Sequence, residues 1–256
     1  MTSVTFCTPS RTHSVSLEYL QAHTETIFAC LQAGIRINWL PIGGDQFVAK
    51  ARCRLVEEFL EGEAENLFFL DDDIGWPAEK VVEFLSRPEP IIAGIYPKKQ
   101  DTEDWPVALY SNEGQLERRD GMVRATMIPT GFTKIHRSVL EALAKQLDKA
   151  PEEAPTWFME MGSDGVNRRY RGFFNAGIGP DHQWWGEDHA FGQNAMALGY
   201  ELWVDPNIEF SHRGQKRWRG NLYGSLGTFS ARAQEAFYMK QKAELAEAEP
   251  MNMEPA

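Results

Sequence analysis

The 256-residue chain has only three cysteines, Cys7, Cys30 and Cys53, an odd number with no Cys-x-x-Cys pair. That set does not make a disulfide framework, and the expectation is free thiols in a reducing compartment. Excess positive charge is also missing. Lys and Arg number 26 against 37 Asp and Glu, a formal charge of -11. A uniformly basic footprint for nucleic acid is therefore excluded, although a local patch is not. No apolar run approaches the roughly 20 residues of a membrane span. Residues 1–10 lack a basic segment followed by an apolar core, so no secretory leader is read there. These absences lead to the expectation of a soluble, cytoplasmic protein. No internal repeat is present. The GxGxxG pattern that a dinucleotide oxidoreductase needs after its first strand is absent too.

A chain of this length and ordinary globular composition buries a full core without staples. It carries eight tryptophans. Trp joins a broad apolar face to one polar handle, which suits cores first and substrate grooves second.

The pattern starts with a short strand at Val4–Cys7, ending in Thr8-Pro9-Ser10-Arg11. A helix over residues 15–33 is stopped by Gly34. Ile35, Ile37 and Trp39 alternate with Arg36 and Asn38 as a strand does, and Pro41 with Gly43-Gly44 ends it. Asp45 is placed as the cap of the next helix, where Phe47, Ala51, Leu55 and Phe59 form one apolar stripe. Leu67-Phe68-Phe69-Leu70 reads as a strand buried on both faces. A helix with Ala78, Val81, Val82 and Leu85 follows, then a buried strand at Ile91–Ile95. Strands alternating with helices predict a doubly wound, mostly parallel sheet, which binds ligands at the C-terminal ends of its strands.

The second half is less regular. Residues 107–110 and 123–128 are read as strands framing a turn at Asn112-Glu113-Gly114, and residues 139–147 as a helix. Residues 149–155 read as a charged loop, and residues 168–186 as a long functional loop. A helix over 189–198 and a strand over 202–204 follow. A single domain over residues 1–230 is expected, with residues 1–100 and 101–230 as its two halves. The chain turns helical from about Ser230, and residues 247–256 read as disordered.

Asp71, Asp72 and Asp73 follow the buried run at Leu70. Carried on as a strand, Asp71 and Asp73 share a face and Asp72 takes the other. Adjacent like charges at a buried strand end are costly unless a cation joins them, and oxygen donors suit Mg²⁺ or Mn²⁺. The plainer reading is an acidic turn with an Asp capping a helix.

The run Leu67–Ile74 resembles the Asp-x-Asp segment of glycosyltransferases with the GT-A fold, in the family-2-like group. The resemblance implies a GT-A-like, Rossmann-like sheet flanked by helices, with an irregular acceptor-side C-terminal half. It makes Asp73 the first ligand of a divalent metal and Asp71 a contact to ribose or metal. The role of Asp72, in the middle of the donor contact, stays open.

Further segments match in order. Thr8, Pro9, Ser10 and Arg11 sit where this fold holds the nucleotide, or form a plain turn. Arg52 matches an arginine at the nucleotide pocket, followed by Cys53 where the family pattern often has Asn; Arg54 is equally a solvated helix residue. Thr130 and Gly131 match a segment beside the donor sugar, or a turn needing glycine. Trp184-Trp185-Gly186-Glu187-Asp188 with Phe191 resembles the Gly-Glu-Asp-x-x-Phe segment that opens an acceptor-side helix. By that likeness Asp188 is the general base and Glu187 orients nearby groups, while both also suit the helix dipole. Trp184 and Trp185 offer flat faces to a sugar or a base, and Trp185 and Gly186 are expected to contact substrate. Residues 199–214 resemble the family's strand leading to a histidine, so His212 is the third metal ligand. The resemblance spans residues 4–214.

The donor implied is a nucleoside-diphosphate sugar, with UDP or GDP favoured. Arg213 and Lys216 suit its diphosphate. Arg168, Arg169 and Arg171 with Tyr170, and Lys216, Arg217 and Arg219 with Trp218, mix cations with aromatics as phosphate-and-base surfaces do. Tyr96-Pro97-Lys98-Lys99 resembles glycosyltransferase-like proteins of bacteriophages, some of which modify hydroxymethylated pyrimidines in DNA. The acceptor is thus modified DNA or a saccharide, and a phage-encoded protein would work in the host cytoplasm. Alternatives are a sugar-nucleotide-forming nucleotidyltransferase, whose usual glycine-rich loop is missing at residues 8–11, and an inactive nucleotide- or sugar-binding module.

Overall fold

A computed structural model describes residues 2–102, 104–150, 156–162, 164–214 and 216–248. The opening half alternates as its pattern demands: β1 (Ser3–Ser10), α1 (Leu17–Gln32), β2 (Arg36–Gly43), α2 (Val48–Glu61), β3 (Asn66–Leu70), β4 (Ile74–Gly75), α3 (Ala78–Ser86) and β5 (Ile91–Gly94). Later helices are α4 (Arg137–Leu147), α5 (Glu187–Ala197) and α6 (Leu226–Ala248).

The main sheet runs β2, β1, β3, Phe132–His136, β5, Leu202–Asp205, Met122–Met127, Ala108–Leu109. Side-chain alternation along β3 divides the core in two. Leu67 and Phe69 pack with Leu55 and Phe59 of α2 and Leu140 of α4. Phe68 and Leu70 face the other way, onto Tyr19 of α1 and Phe84 of α3.

The sheet is mixed. β1 pairs in parallel with β2 and β3, and β5 with Leu202–Asp205. Phe132–His136 lies antiparallel between β3 and β5, and Met122–Met127 antiparallel to Leu202–Asp205. These two strands are the antiparallel members that the expected mostly parallel sheet contains. Phe132–His136 does not announce itself because Lys134 stands in its middle. That lysine is buried, with Nζ donating to the Arg87 carbonyl at 2.9 Å, and burial lowers its pKa to about 8.

Other expectations shift locally. β2 runs through Pro41 to Gly43, which an edge strand permits because its outward N–H needs no partner. Phe47, not Asp45, is the N-cap of α2; the Asp45 carboxylate accepts from the Phe47 N–H, an Asx turn ahead of the helix. The expected loop at 168–186 contains structure. Trp157–Met161 pairs with Asn167–Arg171, and Gly177–Ile178 with Trp184–Trp185. The turn at Glu113-Gly114 has both residues at positive φ, as a tight hairpin requires. Most of the expected 149–155 loop and of the 247–256 tail lies outside the described residues. Cys7, Cys30 and Cys53 are buried and unpaired. Among the described residues no helix is long and apolar enough to cross a membrane.

Candidate active site

β3 stops at Leu70, and the three aspartates form a turn rather than more strand. Each peptide of that turn is tied to a different element. The Asp71 N–H donates to the Gly131 carbonyl at 2.8 Å, the Asp72 carbonyl accepts from Ser16 N at 2.8 Å, and the Asp73 carbonyl accepts from Arg213 N at 2.7 Å. Strand alternation therefore does not set their directions, contrary to the expectation of a shared face for Asp71 and Asp73.

Asp71 turns to Arg52, which is buried in α2. One guanidinium nitrogen lies 2.9 and 3.2 Å from the two Asp71 oxygens. The other lies 3.1 Å from Glu187 and 3.1 Å from Asp188. One cation thus gathers the end of β3 and the first turn of α5. The Thr130 hydroxyl also donates to Asp188, on the same Oδ1 that Arg52 contacts. Burial raises the Asp188 carboxyl to about 6 against the pull of Arg52, with Glu187 adding to the rise.

Asp73 turns the other way, to Lys99 and His212. Burial acts to raise its carboxyl, but the contacts with His212 and Lys99 outweigh it, and the pKa falls below the ordinary range. His212 Nδ1 lies 2.7 Å from the Pro97 carbonyl, so that nitrogen carries a proton and donates. In a neutral ring Nε2 then keeps its lone pair, 3.3 Å from Asp73 Oδ1. Two acceptors facing each other call for a shared cation or a protonated ring. A backbone carbonyl on the far ring nitrogen is also the usual support of a metal-binding histidine. Among the described residues no group of three His, Cys, Asp or Glu is arranged to hold a metal. Asp73 and His212 are together, while Asp71 is engaged elsewhere.

Tyr96 joins the two clusters, and the sequence marks it only as the start of the Tyr96–Lys99 run. Its hydroxyl donates to Asp71 Oδ2 at 3.3 Å, and its ring meets His212 edge to face at 4.9 Å. Gly131 is needed beside it, because a Cβ there would collide with the Asp71 carboxylate and the Tyr96 hydroxyl. Lys99 was likewise noted only as part of a run. Both act through contacts about 25 residues away in sequence, which no local pattern reveals.

Of the expected nucleotide segment, Thr8 and Pro9 belong to β1 and are buried. The Thr8 hydroxyl is 2.5 Å from the Tyr19 hydroxyl and accepts from the Trp39 indole at 3.1 Å. Ser10 sits at the strand end, bonded to the Ser14 carbonyl at 2.9 Å, and Arg11 is exposed. Burial raises the Asp72 carboxyl, opposed by a hydrogen bond from Ser10. Gly186 caps α5 without a side-chain bond, and Trp185 stacks on His189.

Most residues of the basic runs are matched by internal carboxylates. Arg168 pairs with Asp164, and Arg171 with Glu57 and Asp148. Arg169 lies 3.7 Å from Asp148 and over the Trp157 ring. Lys216 pairs with Asp101, and Arg217 with Glu18. Arg213 approaches Glu18 at 4.0 Å with half its side chain exposed. Arg54, placed as solvated, reaches Asp45 and Glu160 at 3.8 and 3.6 Å.

No protein-family model matches the chain, and no curated protein does. Solved structures do. The crystal structure of A197 from STIV shares 18% identity across 87% of this chain and 91% of that one, with a TM-score of 0.51. A glycosyltransferase involved in the glycosylation of the major capsid of PBCV-1 shares 14% identity across 59% of this chain and 70% of its own, with a TM-score of 0.32. The first likeness is one of fold alone. The second is too slight to weigh further.

Proposed function

We propose that the chain is a metal-dependent glycosyltransferase, moving a sugar from a nucleoside-diphosphate sugar, UDP- or GDP-linked, to a hydroxyl acceptor. The observation that carries this reading is the convergence of Asp71, Glu187 and Asp188 on buried Arg52, joined through Tyr96 to the Asp73–His212 pair.

Asp73 and His212 are the residues that would hold Mn²⁺ or Mg²⁺; a carboxylate with an imidazole is a set that Mn²⁺ accepts readily. When bound, the ion neutralises the diphosphate as the bond to the sugar breaks. Lys99, whose ammonium lies on Asp73, brings a second positive charge to the same place.

Asp188 is the base. Its pKa of about 6 leaves it ionised at neutral pH yet a stronger proton acceptor than a solvated aspartate. Arg52 and Thr130 both bind its Oδ1, which leaves Oδ2 for the acceptor hydroxyl. The oxygen so freed attacks the anomeric carbon in line with the departing diphosphate, with inversion. Glu187 shares the Arg52 nitrogen with Asp188 and fixes its orientation.

The test is a thermal-shift panel of UDP, GDP, CDP and dTDP, with and without Mn²⁺. A ligand at a hundred times its Kd adds about 2.7 kcal/mol. A metal-dependent shift with one nucleotide is expected. No shift with any of them would remove the donor site. Transfer of sugar, rather than binding or nucleotide exchange, separates the transferase from a nucleotidyltransferase and from an inactive binding module.

A further inference from the structure

The short hairpin that leads into α5 holds two large apolar side chains in solvent. Ile178 and Trp184 are direct cross-strand partners, so they share one face. They are 77% and 73% exposed. The opposite face carries Gly177 and Trp185. Trp185 covers Gly179, where any Cβ would collide with the indole, and stacks on His189 with centroids 4.9 Å apart. The Gln193 amide lies 3.1 Å from His189 Nε2 and donates to the Thr126 carbonyl at 3.3 Å. The exposed pair therefore rides on a hairpin braced against α5 and the main sheet.

An indole presented to water on a braced backbone leaves apolar surface hydrated that the fold does not use. Two side chains are far too few for a protein interface of about 800 Å² per partner. They match a single ring. Trp184 stands two residues before the Gly186 cap and four before Asp188 in the chain. Sugar rings and nucleobases both stack on indoles, and charge decides between them. From Gly172 to His212 the sequence holds no Lys or Arg, while Asp181, Glu187 and Asp188 surround the hairpin in sequence. A phosphate backbone arriving here meets Asp181 and, within this segment, no lysine or arginine; Arg52 beside Glu187 and Asp188 is only 3% exposed and is already held by those two carboxylates and Asp71. In the basic runs elsewhere, Arg168, Arg171, Lys216 and Arg217 are already paired with Asp164, Glu57, Asp148, Asp101 and Glu18.

We propose that the acceptor is a neutral saccharide, and that Trp184 with Ile178 is the platform on which its ring stacks as its hydroxyl meets Asp188. The proposal rests on the transferase reading above. It is tested by calorimetry of the wild type, Trp184→Ala and Trp184→Phe against a panel of neutral oligosaccharides and against single-stranded DNA containing 5-hydroxymethylcytosine. The same compounds are offered as acceptors with labelled nucleotide sugars. At least one neutral oligosaccharide is expected to bind and accept sugar. Trp184→Ala should weaken its Kd and raise its KM roughly tenfold, with Trp184→Phe within about threefold of wild type. Phe28→Ala, at another exposed aromatic, on α1, should change neither value. Transfer to the DNA, no saccharide bound, or an unchanged Kd in Trp184→Ala would each overturn the proposal. Nucleotide-sugar binding with Mn²⁺ is read in parallel. If it occurs and no saccharide binds, the platform alone is refuted; if it does not occur, the transferase reading falls, and saccharide calorimetry still decides the platform.

Discussion

The Asp188 carboxylate lies 3.1 Å from the Arg52 guanidinium, although 136 residues of chain separate them. The same side chain, only 3% exposed, also holds Asp71 and Glu187. Breaking a buried ion cluster by removing its one cation leaves uncompensated charge. Arg52→Met is expected to lower unfolding free energy by about 3 kcal/mol, measured by urea denaturation. A loss below about 1 kcal/mol would mean that water, and not Arg52, balances these carboxylates.

Asp188 must be ionised to act as a base, so kcat/KM should fall about tenfold per pH unit below its pKa of about 6. Stability moves oppositely. The folded pKa lies above the unfolded value of about 3.9, so protonation favours the fold. That contribution is complete below about pH 4 and is lost as pH rises through about 6. Relative to wild type, Asp188→Asn should gain stability between pH 4 and pH 7. Urea midpoints at the two pH values check this, and parallel curves would discount the buried-carboxyl account.

Mn²⁺ binding can be followed by electron paramagnetic resonance without any turnover. Asp73→Asn and His212→Ala are each expected to weaken it by about tenfold or more. Lys99→Met should tighten it, because the Lys99 ammonium competes for the same carboxylate. Unchanged Mn²⁺ affinity in both ligand variants would move the ion elsewhere.

Lys134 carries a different prediction. Its folded pKa of about 8 lies below the unfolded lysine value of about 10.4. Its contribution to stability is therefore present above about pH 10 and is lost as pH falls through 8. Lys134→Met should stabilise the protein relative to wild type more at pH 6.5 than at pH 9.5, as read from thermal melts. An equal gain at both would assign the effect to packing alone.

Much of the frame could be read from local pattern. The continuous Leu67–Leu70 run is buried throughout, and the Asp triplet follows where that run stops. On α2, Ala51, Leu55 and Phe59 face the core as their spacing demands, whereas Phe47, the N-cap, is exposed. What stayed hidden depends on partners distant in sequence. Arg52 stands outside the apolar stripe of α2, and nothing local says that it is buried or that three carboxylates meet it there. Tyr96 and Lys99 have no periodicity to mark them. Phe132–His136 looks too polar for a central strand until the Arg87 carbonyl that satisfies Lys134 is known. The hairpin of Trp184 and Trp185 hides among glycines and polar residues.

The antiparallel strand at the middle of the sheet has a consequence for biosynthesis. β3 and β5 are not paired with each other; each pairs with Phe132–His136. A nascent chain that has emerged only to residue 100 holds two apolar strands with an empty lane between them. The same later segment delivers Thr130 and Gly131 to the aspartates as it enters the sheet. The emerging polypeptide therefore cannot complete its sheet before it assembles its chemistry, and truncation after residue 100 should yield an insoluble fragment.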